Sequence, residues 1–419
     1  MKNLKEELLK IARLAKESSG YLLNISAKTK NLILKDMASA LIENQKQILK
    51  ANNKDIILAK KNGLSKALID RLMLNPSRIQ QMADSLKELT KLPDPIGKVI
   101  KAWSRPNGLK IKKVRVPIGV VLIIYESRPN VTADCIGLCF KSANSVILRG
   151  GREALNSNLA IFEVLQSILK KYRIPENIIN LVTVTDYEAI NILLGLNEYI
   201  DLVIPRGGEG LIQRVSKLSR IPVIKHYKGI CHIYVDEEAD LNMAQKVCFN
   251  AKVQRPGVCN AMESMLVNKY VAARFLPGMI KQFKEAGVEI RGCPITQKIV
   301  KDIKPATEED YRTEYLDLIL SVKVVEDIDE AIKHINFYGS HHSDSIITDN
   351  RQNAEKFLKE VDSACVYVNA STRFTDGYQF GLGAEIGIST DKLHARGPMA
   401  LEELTTYKYI IFGKGQIRI

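Results

Sequence analysis

The sequence predicts an α/β protein built on a doubly wound parallel sheet. After residue 117, near-continuous apolar runs such as residues 118–125 have the composition of parallel strands buried on both faces. Amphipathic stretches of helical length, such as residues 156–172, separate these runs. Glycine pairs follow two of the runs, at residues 150–151 and 207–208, where a strand gives way to a helix. This alternation of strand, turn and helix is typical of a doubly wound fold.

The elements can be assigned in order along the chain. Residues 3–92 carry apolar side chains at helical spacing and predict a series of helices. Residues 99–116 mix apolar and basic residues around a Pro-Asn-Gly turn, which predicts a hairpin. Further strands are predicted at residues 118–125, 145–148, 180–184 and 201–206, with helices at residues 156–172, 186–196 and 211–218. A second α/β stretch runs from residue 231 to residue 368, and four glycines between residues 377 and 387 predict a loop.

The composition is that of a globular protein long enough for two or three domains. The 419 residues are 46% hydrophobic and 26% charged. Apolar runs stay below the ~18 residues that a spanning helix needs, and the first ten residues lack a signal-peptide core, so we expect no membrane contact and a cytoplasmic location. Seven cysteines without a C-x-x-C pair predict free thiols, and six histidines without a ligand spacing predict no metal site.

The positive charge is concentrated near the N-terminus. The net charge is +14, and residues 1–120 hold 25 Lys and Arg against 10 Asp and Glu. A basic block raises one alternative function, a nucleic-acid-binding protein. The aromatic residues of this block are Tyr21 and Trp103 alone, so the interleaved pattern that stacks on bases is missing. We therefore predict no nucleic-acid partner and interpret the block as the solvated face of the N-terminal helices and hairpin.

Two motifs could carry chemistry. Cys259 follows a Pro-Gly pair and is predicted to begin a helix, where the helix dipole and Arg255 would favour a nucleophilic thiolate. An isolated cysteine is more often an inert core residue, so the motif alone leaves both interpretations open. Gly207 and Gly208 would let backbone N–H groups face a pyrophosphate, but they lack the G-x-G-x-x-G spacing and a plain structural turn is equally open.

Six segments taken together resemble the gamma-glutamyl phosphate reductases, a family of the aldehyde dehydrogenase superfamily. In chain order they are VPIGV (116–120), YESRPNVT (125–132), LRGG (148–151), IPRGG (204–208), QRPGVCNA (254–261) and GAEIGIST (383–390). The resemblance covers essentially the whole chain. It implies an aldehyde dehydrogenase-like fold with a Rossmann-type NADP-binding domain at residues 1–97 and 117–228 and an α/β catalytic domain at residues 229–404. It further implies a small β oligomerisation element, made of residues 98–116 and 405–419, in a homodimer or homotetramer. In this element the hairpin of residues 99–116 would pair with a C-terminal strand at residues 405–412.

The activity implied by the resemblance is the NADPH-dependent reduction of L-glutamyl 5-phosphate to L-glutamate 5-semialdehyde and phosphate, the second step of proline biosynthesis. Cys259 would attack the acyl phosphate and form a thioester, and Ser127 would donate a hydrogen bond to the oxyanion beside the Cys259 backbone N–H. Glutamate 5-kinase, which supplies the acyl phosphate, is the implied partner enzyme. Residues 223–230 lack the general-base glutamate of hydrolytic relatives, which suits exchange of the thioester with phosphate. A CoA-acylating aldehyde dehydrogenase shares this feature and remains an alternative.

The resemblance also assigns ligand-binding residues. Arg149 would meet the adenosine ribose and its 2′-phosphate, which favours NADP over NAD. Gly207 and Gly208 would bind the pyrophosphate, and Glu385 would hold the hydroxyls of the nicotinamide ribose. Four candidates for binding the amino-acid end of the substrate lie in one loop: Asn369, Ser371, Thr372 and Arg373.

Overall fold

The computed structural model describes residues 2–225 and 227–418, which form two compact units. Of the described residues, the first unit contains 2–225, 381–387 and 399–418, and the second contains 227–380 and 388–398. Within the described residues, no helix combines the length and apolar character needed to cross a membrane.

The helices alternate with strands after residue 117, as the sequence predicts. The α-helices of the described chain are α1 (Lys2–Ser19), α2 (Ala27–Glu43), α3 (Gln45–Lys61), α4 (Lys66–Leu72), α5 (Pro76–Lys91), α6 (Asn130–Lys141), α7 (Leu155–Lys171), α8 (Tyr187–Leu194), α9 (Glu209–Leu218), α10 (Leu241–Val253), α11 (Lys269–Glu285), α12 (Pro294–Ile299), α13 (Glu308–Tyr311), α14 (Ile328–Tyr338) and α15 (Arg351–Glu360). The strands are β1 (Val99–Ser104), β2 (Lys110–Pro117), β3 (Val120–Tyr125), β4 (Ser145–Gly150), β5 (Ile179–Leu181), β6 (Leu202–Arg206), β7 (Cys231–Val235), β8 (Met262–Asn268), β9 (Glu289–Gly292), β10 (Lys304–Pro305), β11 (Ile319–Val325), β12 (Ser343–Ile347), β13 (Cys365–Val368), β14 (Gly387–Ser389), β15 (Gly397–Met399) and β16 (Thr405–Phe412).

The first unit is built around a four-stranded parallel sheet of order β5-β4-β3-β6. Every residue of β3 and β4 is buried, which explains the apolar runs. Strands β4 and β5 extend the sheet to one side of β3, and β6 returns to the other side. Ligands bind where the strand order reverses in this way, outside the carboxyl ends of the strands. In this unit that point lies after Tyr125 and Arg206.

The basic N-terminal residues form amphipathic helices. Helix α2 is capped at its N-terminus by Ser26, whose side chain accepts a hydrogen bond from the backbone N–H of Thr29, and α5 is capped by Asn75 and begins with Pro76. The apolar faces are buried while the lysines face outward, apart from Lys30, which pairs with Asp94. The helical prediction for this region is confirmed.

A three-stranded antiparallel sheet of order β1-β2-β16 also belongs to the first unit. Its register pairs Thr405 with Pro117 and Phe412 with Lys110. The predicted hairpin and its pairing with the C-terminal strand are therefore confirmed. Side chains along this sheet remain exposed, among them Ile411 and Phe412 at more than half of their surface.

The second unit has a seven-stranded parallel sheet of order β10-β9-β11-β8-β7-β12-β13. Strands β7, β8 and β12 are buried throughout and form its centre. After β13 the chain turns back toward the amino ends of these strands. Ser345 donates a hydrogen bond to the carbonyl of Ala370, and the Ser343 and Thr375 hydroxyls are 2.6 Å apart. The segment thereby runs from the carboxyl end of β12, where Asn369 is bonded to Thr348, to its amino end, where Thr375 meets Ser343.

Candidate active site

Cys259 lies in the segment of residues 254–261, here called the nucleophile loop, which connects the end of α10 at Val253 with the start of β8 at Met262. The prediction that Cys259 begins a helix is wrong, because the loop continues into a strand and therefore provides no helix dipole. Cys259 is nevertheless the one partly exposed cysteine, since the other six are buried and all seven are free thiols. Exposure makes it the thiol that a substrate can reach.

The backbone of Cys259 is packed tightly against Gly229. A Cβ atom on Gly229 would lie 2.1 Å from the Cys259 carbonyl oxygen and 2.5 Å from its Cα, so only glycine fits there. The Cys231 thiol donates a hydrogen bond to the same carbonyl oxygen, at 3.2 Å from Sγ. Burial raises the pKa of Cys231 well above its usual value, which keeps this thiol protonated and able to donate.

Asn260 connects the nucleophile loop to the returning segment of residues 369–375. Its side-chain N–H donates to the backbone carbonyl oxygen of Thr375 at 2.8 Å, and the backbone carbonyl oxygen of Asn260 accepts a hydrogen bond from the Thr372 hydroxyl at 2.8 Å. The Arg373 guanidinium donates to the Asn260 side-chain oxygen through Nη1 and to Gln254 Oε1 at 2.9 Å through Nε. Arg373 is therefore fixed to both ends of the nucleophile loop.

The other predicted substrate residues have structural partners in this segment. The Ser371 hydroxyl accepts a hydrogen bond from the Arg373 backbone N–H at 3.3 Å. The Asn369 amide pairs with the backbone N–H and carbonyl of Thr348, both at 2.9 Å. Asn369 thus extends the sheet edge, and Ser371 and Thr372 position Arg373 and the loop. Their predicted contacts with substrate stay predictions.

An ion pair joins the two elements that flank the nucleophile loop. Lys252 on α10 and Glu263 on β8 are almost fully buried, with Nζ 2.5 Å from Oε2. The second Glu263 oxygen accepts the backbone N–H of Leu316 at 3.1 Å. Burial raises the pKa of Glu263 to about 7, although Lys252 opposes that shift, and burial lowers the pKa of Lys252. The pair closes the base of the loop.

In the first unit, the predicted pyrophosphate turn lies at the reversal point between β3 and β6. We call residues 206–208 the glycine turn; it leads into the ten-residue helix α9. A Cβ on Gly207 would lie 2.4 Å from Oε2 of Glu126, and the Gly208 N–H donates to that same oxygen at 2.9 Å. A carboxylate therefore occupies the position where a helix N-terminus would bind a phosphate anion.

Ser127 is held by a second carboxylate in the same unit. Its backbone N–H and its hydroxyl both donate to Oε1 of Glu153, at 2.7 and 2.6 Å. Ser127 has a φ of 44°, in the left-handed region that a residue other than glycine rarely adopts. The Ser127 hydroxyl is thus hydrogen-bonded to Glu153. Its hydrogen bond to an oxyanion stays a prediction.

Arg149 is the last residue but one of β4 and lies near the same carboxylates. It is 6% exposed, and its guanidinium donates to the carbonyl oxygens of Gly150, Thr185 and Asp186. Its Nε is buried and has no hydrogen-bond partner among the described residues. Burial lowers the pKa of Arg149, which nearby Tyr187, Glu153 and Glu126 counteract. A buried N–H donor without a partner is what an incoming phosphate oxygen would satisfy.

Glu385 lies half-buried in the segment of residues 381–387. A Cβ on Gly387, two residues later, would lie 2.8 Å from Nη1 of Arg206, so this segment packs against the glycine turn. The first unit therefore brings the segment of Glu385 and the residues Gly207 and Gly208 together.

Several contributors to the site were not predicted. Gly229, Cys231, Glu126 and the Lys252–Glu263 pair lie in segments whose residue types are ordinary, and their contacts arise only from the sheet topology. The sequence signal for the ion pair was present in retrospect, because a lysine and a glutamate at two otherwise buried positions must find partners. Among the described residues, no three His, Cys, Asp or Glu side chains are grouped to bind a metal ion.

Comparison with known proteins gives a consistent assignment. The model of the aldehyde dehydrogenase family matches residues 3–297 and 286–410. The gamma-glutamyl phosphate reductase of Thermodesulfovibrio yellowstonii is 57% identical over 99% of both chains. The crystal structure of gamma-glutamyl phosphate reductase from Thermotoga maritima superposes with a TM-score of 0.96, at 50% identity, and the match covers 99% of this chain and 100% of that one.

A more distant structure shares the fold alone. The glyceraldehyde-3-phosphate dehydrogenase of Methanocaldococcus jannaschii, complexed with NADP, has a TM-score of 0.70 at 17% identity, and the match covers 98% of this chain and 95% of that one. The aldehyde dehydrogenase-like fold that the sequence predicts is confirmed.

Proposed function

The chain belongs to the aldehyde dehydrogenase family and, within it, to the gamma-glutamyl phosphate reductases, and we propose that it reduces L-glutamyl 5-phosphate to L-glutamate 5-semialdehyde and phosphate. This reaction is the second step of proline biosynthesis. The observation that carries the proposal within the structure is the nucleophile loop, in which the partly exposed Cys259 has its backbone carbonyl fixed by the Cys231 hydrogen bond and by packing against Gly229. Such preorganisation favours attack on an activated carbonyl.

Cys259 forms a thioester with the glutamyl group in this reaction, and the acyl phosphate releases its phosphate. The hydrogen bond from Cys231 and the contact with Gly229 fix the Cys259 carbonyl, so the peptide plane cannot turn during the attack. Residues 223–230 offer no carboxylate to activate a water molecule, which protects the thioester from hydrolysis. The segment of residues 369–373 is the proposed substrate loop, since Arg373 and Thr372 are hydrogen-bonded to Asn260.

NADPH, when bound, supplies the hydride that reduces the thioester. The first unit fits an anionic dinucleotide, since its glycine turn already accommodates the Glu126 carboxylate and Arg149 has a buried Nε without a partner among the described residues. Gly207 and Gly208 would bind the pyrophosphate, Arg149 the 2′-phosphate and Glu385 the ribose hydroxyls. Ser127 would reach an oxyanion only after exchanging its bond to Glu153.

The test is the reverse reaction, in which the enzyme oxidises L-glutamate 5-semialdehyde. We expect NADP reduction to require inorganic phosphate and NADP to be preferred to NAD. Coenzyme A in place of phosphate should not support turnover, which separates this function from that of a CoA-acylating aldehyde dehydrogenase. Phosphate-independent or CoA-dependent turnover would contradict the proposal.

The exposed β1-β2-β16 sheet supports a homo-oligomer, either a dimer or a tetramer. Its apolar side chains are interleaved with lysines, and Lys113 lies 3.5 Å from the centre of the Tyr407 ring. An Ile411→Lys variant should have a lower molecular mass by light scattering than the parent chain. An unchanged mass would exclude this sheet as the interface between subunits.

The proposed location is the cytoplasm, with glutamate 5-kinase as the proposed upstream enzyme. Copurification of the two proteins tests that partnership.

A further inference from the structure

Two guanidinium groups lie at the nucleophile loop. Arg255 is exposed and precedes Cys259 by four residues. Arg373 comes from the returning segment and is fixed by its bonds to Gln254, the neighbour of Arg255, and to Asn260, the neighbour of Cys259. Arg255 is therefore part of the nucleophile loop itself, and Arg373 is hydrogen-bonded to two residues of that loop.

Neither cation forms an ion pair within 4 Å in the described part of the chain. Arg255 has no hydrogen-bond or ion-pair partner among the described residues, and the Nη2 group of Arg373 has none either. Burial lowers the pKa of Arg373, and repulsion from Arg255 lowers it further, whereas Cys259 and Asp376 raise it. The Asp376 carboxylate is itself engaged by the backbone N–H groups of Tyr378 and Gln379. Two neighbouring cations with unused donors form a site that an anion would stabilise.

We propose that Arg255 and Arg373 bind the phosphoryl group of the acyl phosphate, and inorganic phosphate in the reverse reaction. This inference rests on the proposed function and names the part of the substrate that the two arginines recognise. The phosphoryl group is bonded through oxygen to the carbonyl carbon under attack. Three further carbons separate the α-carboxylate from that carbonyl carbon. Cations beside the nucleophile therefore meet the phosphate. A phosphate also matches the planar guanidinium fork with two parallel hydrogen bonds.

The step is balanced without a further reactant. The sulfur of Cys259 forms a bond to the carbonyl carbon, and the bond from that carbon to the bridging oxygen breaks. The electron pair stays on the leaving phosphate, which also takes up the thiol proton and departs as hydrogen phosphate. No group is oxidised or reduced in this step. The two arginines stabilise the charge that builds up on the departing oxygens.

The experiment measures initial rates of NADP reduction while inorganic phosphate and L-glutamate 5-semialdehyde are varied separately. For Arg255→Gln we expect the KM for phosphate to rise by about tenfold or more, the usual cost of one charge-assisted hydrogen bond, with the KM for semialdehyde changing less than about threefold. Arg255→Lys should recover part of the loss, since it keeps the charge but not the fork. Arg373→Gln should raise the same KM, with an added fall in kcat because it also releases Asn260.

Arg274→Gln is the matched control, because Arg274 is an exposed arginine of α11 in the second unit. It should leave both KM values unchanged. Sulfate, tested as a competitor of phosphate, should inhibit Arg255→Gln about tenfold more weakly than the parent enzyme. An unchanged KM for phosphate in Arg255→Gln, or a rise confined to the KM for semialdehyde, would overturn the inference and assign the arginines to another group. The proposed function fails separately, if the parent enzyme shows no phosphate-dependent turnover.

Discussion

The nucleophile loop and the glycine turn are held in place by groups of different charge. In the loop, the Cys259 carbonyl accepts a hydrogen bond from a neutral thiol, and Arg255 of the loop and Arg373, which is bonded to Asn260, are cations. In the turn, the Gly208 N–H is bonded to the Glu126 carboxylate. The loop is thus prepared for an anion that forms during the reaction. The turn already contains an anion that an incoming phosphate must replace.

The nucleophile loop is therefore a fixed site, whereas the hydrogen bond at the glycine turn can be exchanged for a ligand. The nucleophile loop is closed at its base by a buried ion pair and packed against Gly229, so moving it would expose buried groups. The contact between Glu126 and the glycine turn is an exchangeable hydrogen bond near the surface. We therefore expect substitutions around the loop to change catalysis or stability strongly, and substitutions at the turn to change cofactor affinity modestly.

The largest expected effect comes from Cys259→Ala, which removes the nucleophile. Turnover should fall by about 10⁴-fold or to background, because no neighbouring thiol can replace it: burial raises the pKa of Cys231 and keeps it protonated. The Kd for NADPH, measured by fluorescence titration, should stay within about twofold. Cys139→Ala, at a buried cysteine in the first unit, is the control and should keep its turnover. Substantial turnover in Cys259→Ala would show that Cys259 is not the nucleophile, and the proposed difference between the two regions would then fail.

The next largest effect concerns stability. Lys252→Met leaves Glu263 buried without its cation and should lower the free energy of unfolding by about 3–5 kcal/mol, measured by urea unfolding followed by circular dichroism. A double variant, Lys252→Met with Glu263→Leu, should recover part of that loss. A loss below about 1 kcal/mol would mean that the ion pair does not anchor the loop.

The same pair predicts a pH dependence with a definite sign. The folded-state pKa of Glu263 is raised to about 7 from 4.5, so between these values the folded state holds more protons than the unfolded one. This group therefore contributes stability below pH 4.5 that is lost as the pH rises to about 7. Without Lys252 the pKa of Glu263 rises further, so the stability that Lys252→Met lacks relative to the parent should grow by about 1 kcal/mol from pH 7 to pH 8, because the parent itself loses part of the ~1.4 kcal/mol per pH unit in this range. A constant deficit would contradict this account.

The two regions also differ in what the sequence could predict. The strands and the helices around the glycine turn follow from apolar periodicity. The range of β16, residues 405–412, instead came from the family resemblance. The helix start at Cys259 was wrong because Pro256 and Gly257 fit a helix start and a tight turn equally well. Gly229 and Glu126 were missed because their roles depend on contacts over 30 and 82 residues of chain, which no local pattern encodes.

A steric test of the nucleophile loop is Gly229→Ala. The added Cβ would lie 2.1 Å from the Cys259 carbonyl oxygen, so the loop must shift. A displacement of this kind near a reacting atom should lower kcat by about 10- to 100-fold, with the Kd for NADPH unchanged. Gly20→Ala is the control, since nothing lies within 4 Å of the position of its Cβ and turnover should be unaffected. Normal kcat in Gly229→Ala would show that the loop is as adaptable as the turn.

The smallest expected effect tests whether the glycine turn is exchangeable. Glu126→Gln keeps the size of the side chain and an oxygen that can accept the Gly208 N–H, but it removes the negative charge beside a phosphate. NADPH should bind about 3- to 10-fold more tightly, and the gain should shrink at high salt because screening weakens the repulsion in the parent protein. Weaker binding would mean that Glu126 supports the cofactor site, and the contrast with the nucleophile loop would then be lost.

Glu209→Gln separates occupation of the turn from a general effect of charge. Glu209 lies in the first turn of α9, at the same helix end, and its carboxylate accepts a hydrogen bond from Gln213 on the same helix. If Glu126 acts because it occupies the Gly208 N–H, Glu209→Gln should change the Kd for NADPH less than about twofold. An equal gain in NADPH affinity in both variants would mean that any negative charge at the N-terminus of α9 weakens binding, whether or not it is bonded to the Gly208 N–H. The turn would then bind phosphate without having to release an internal ligand first.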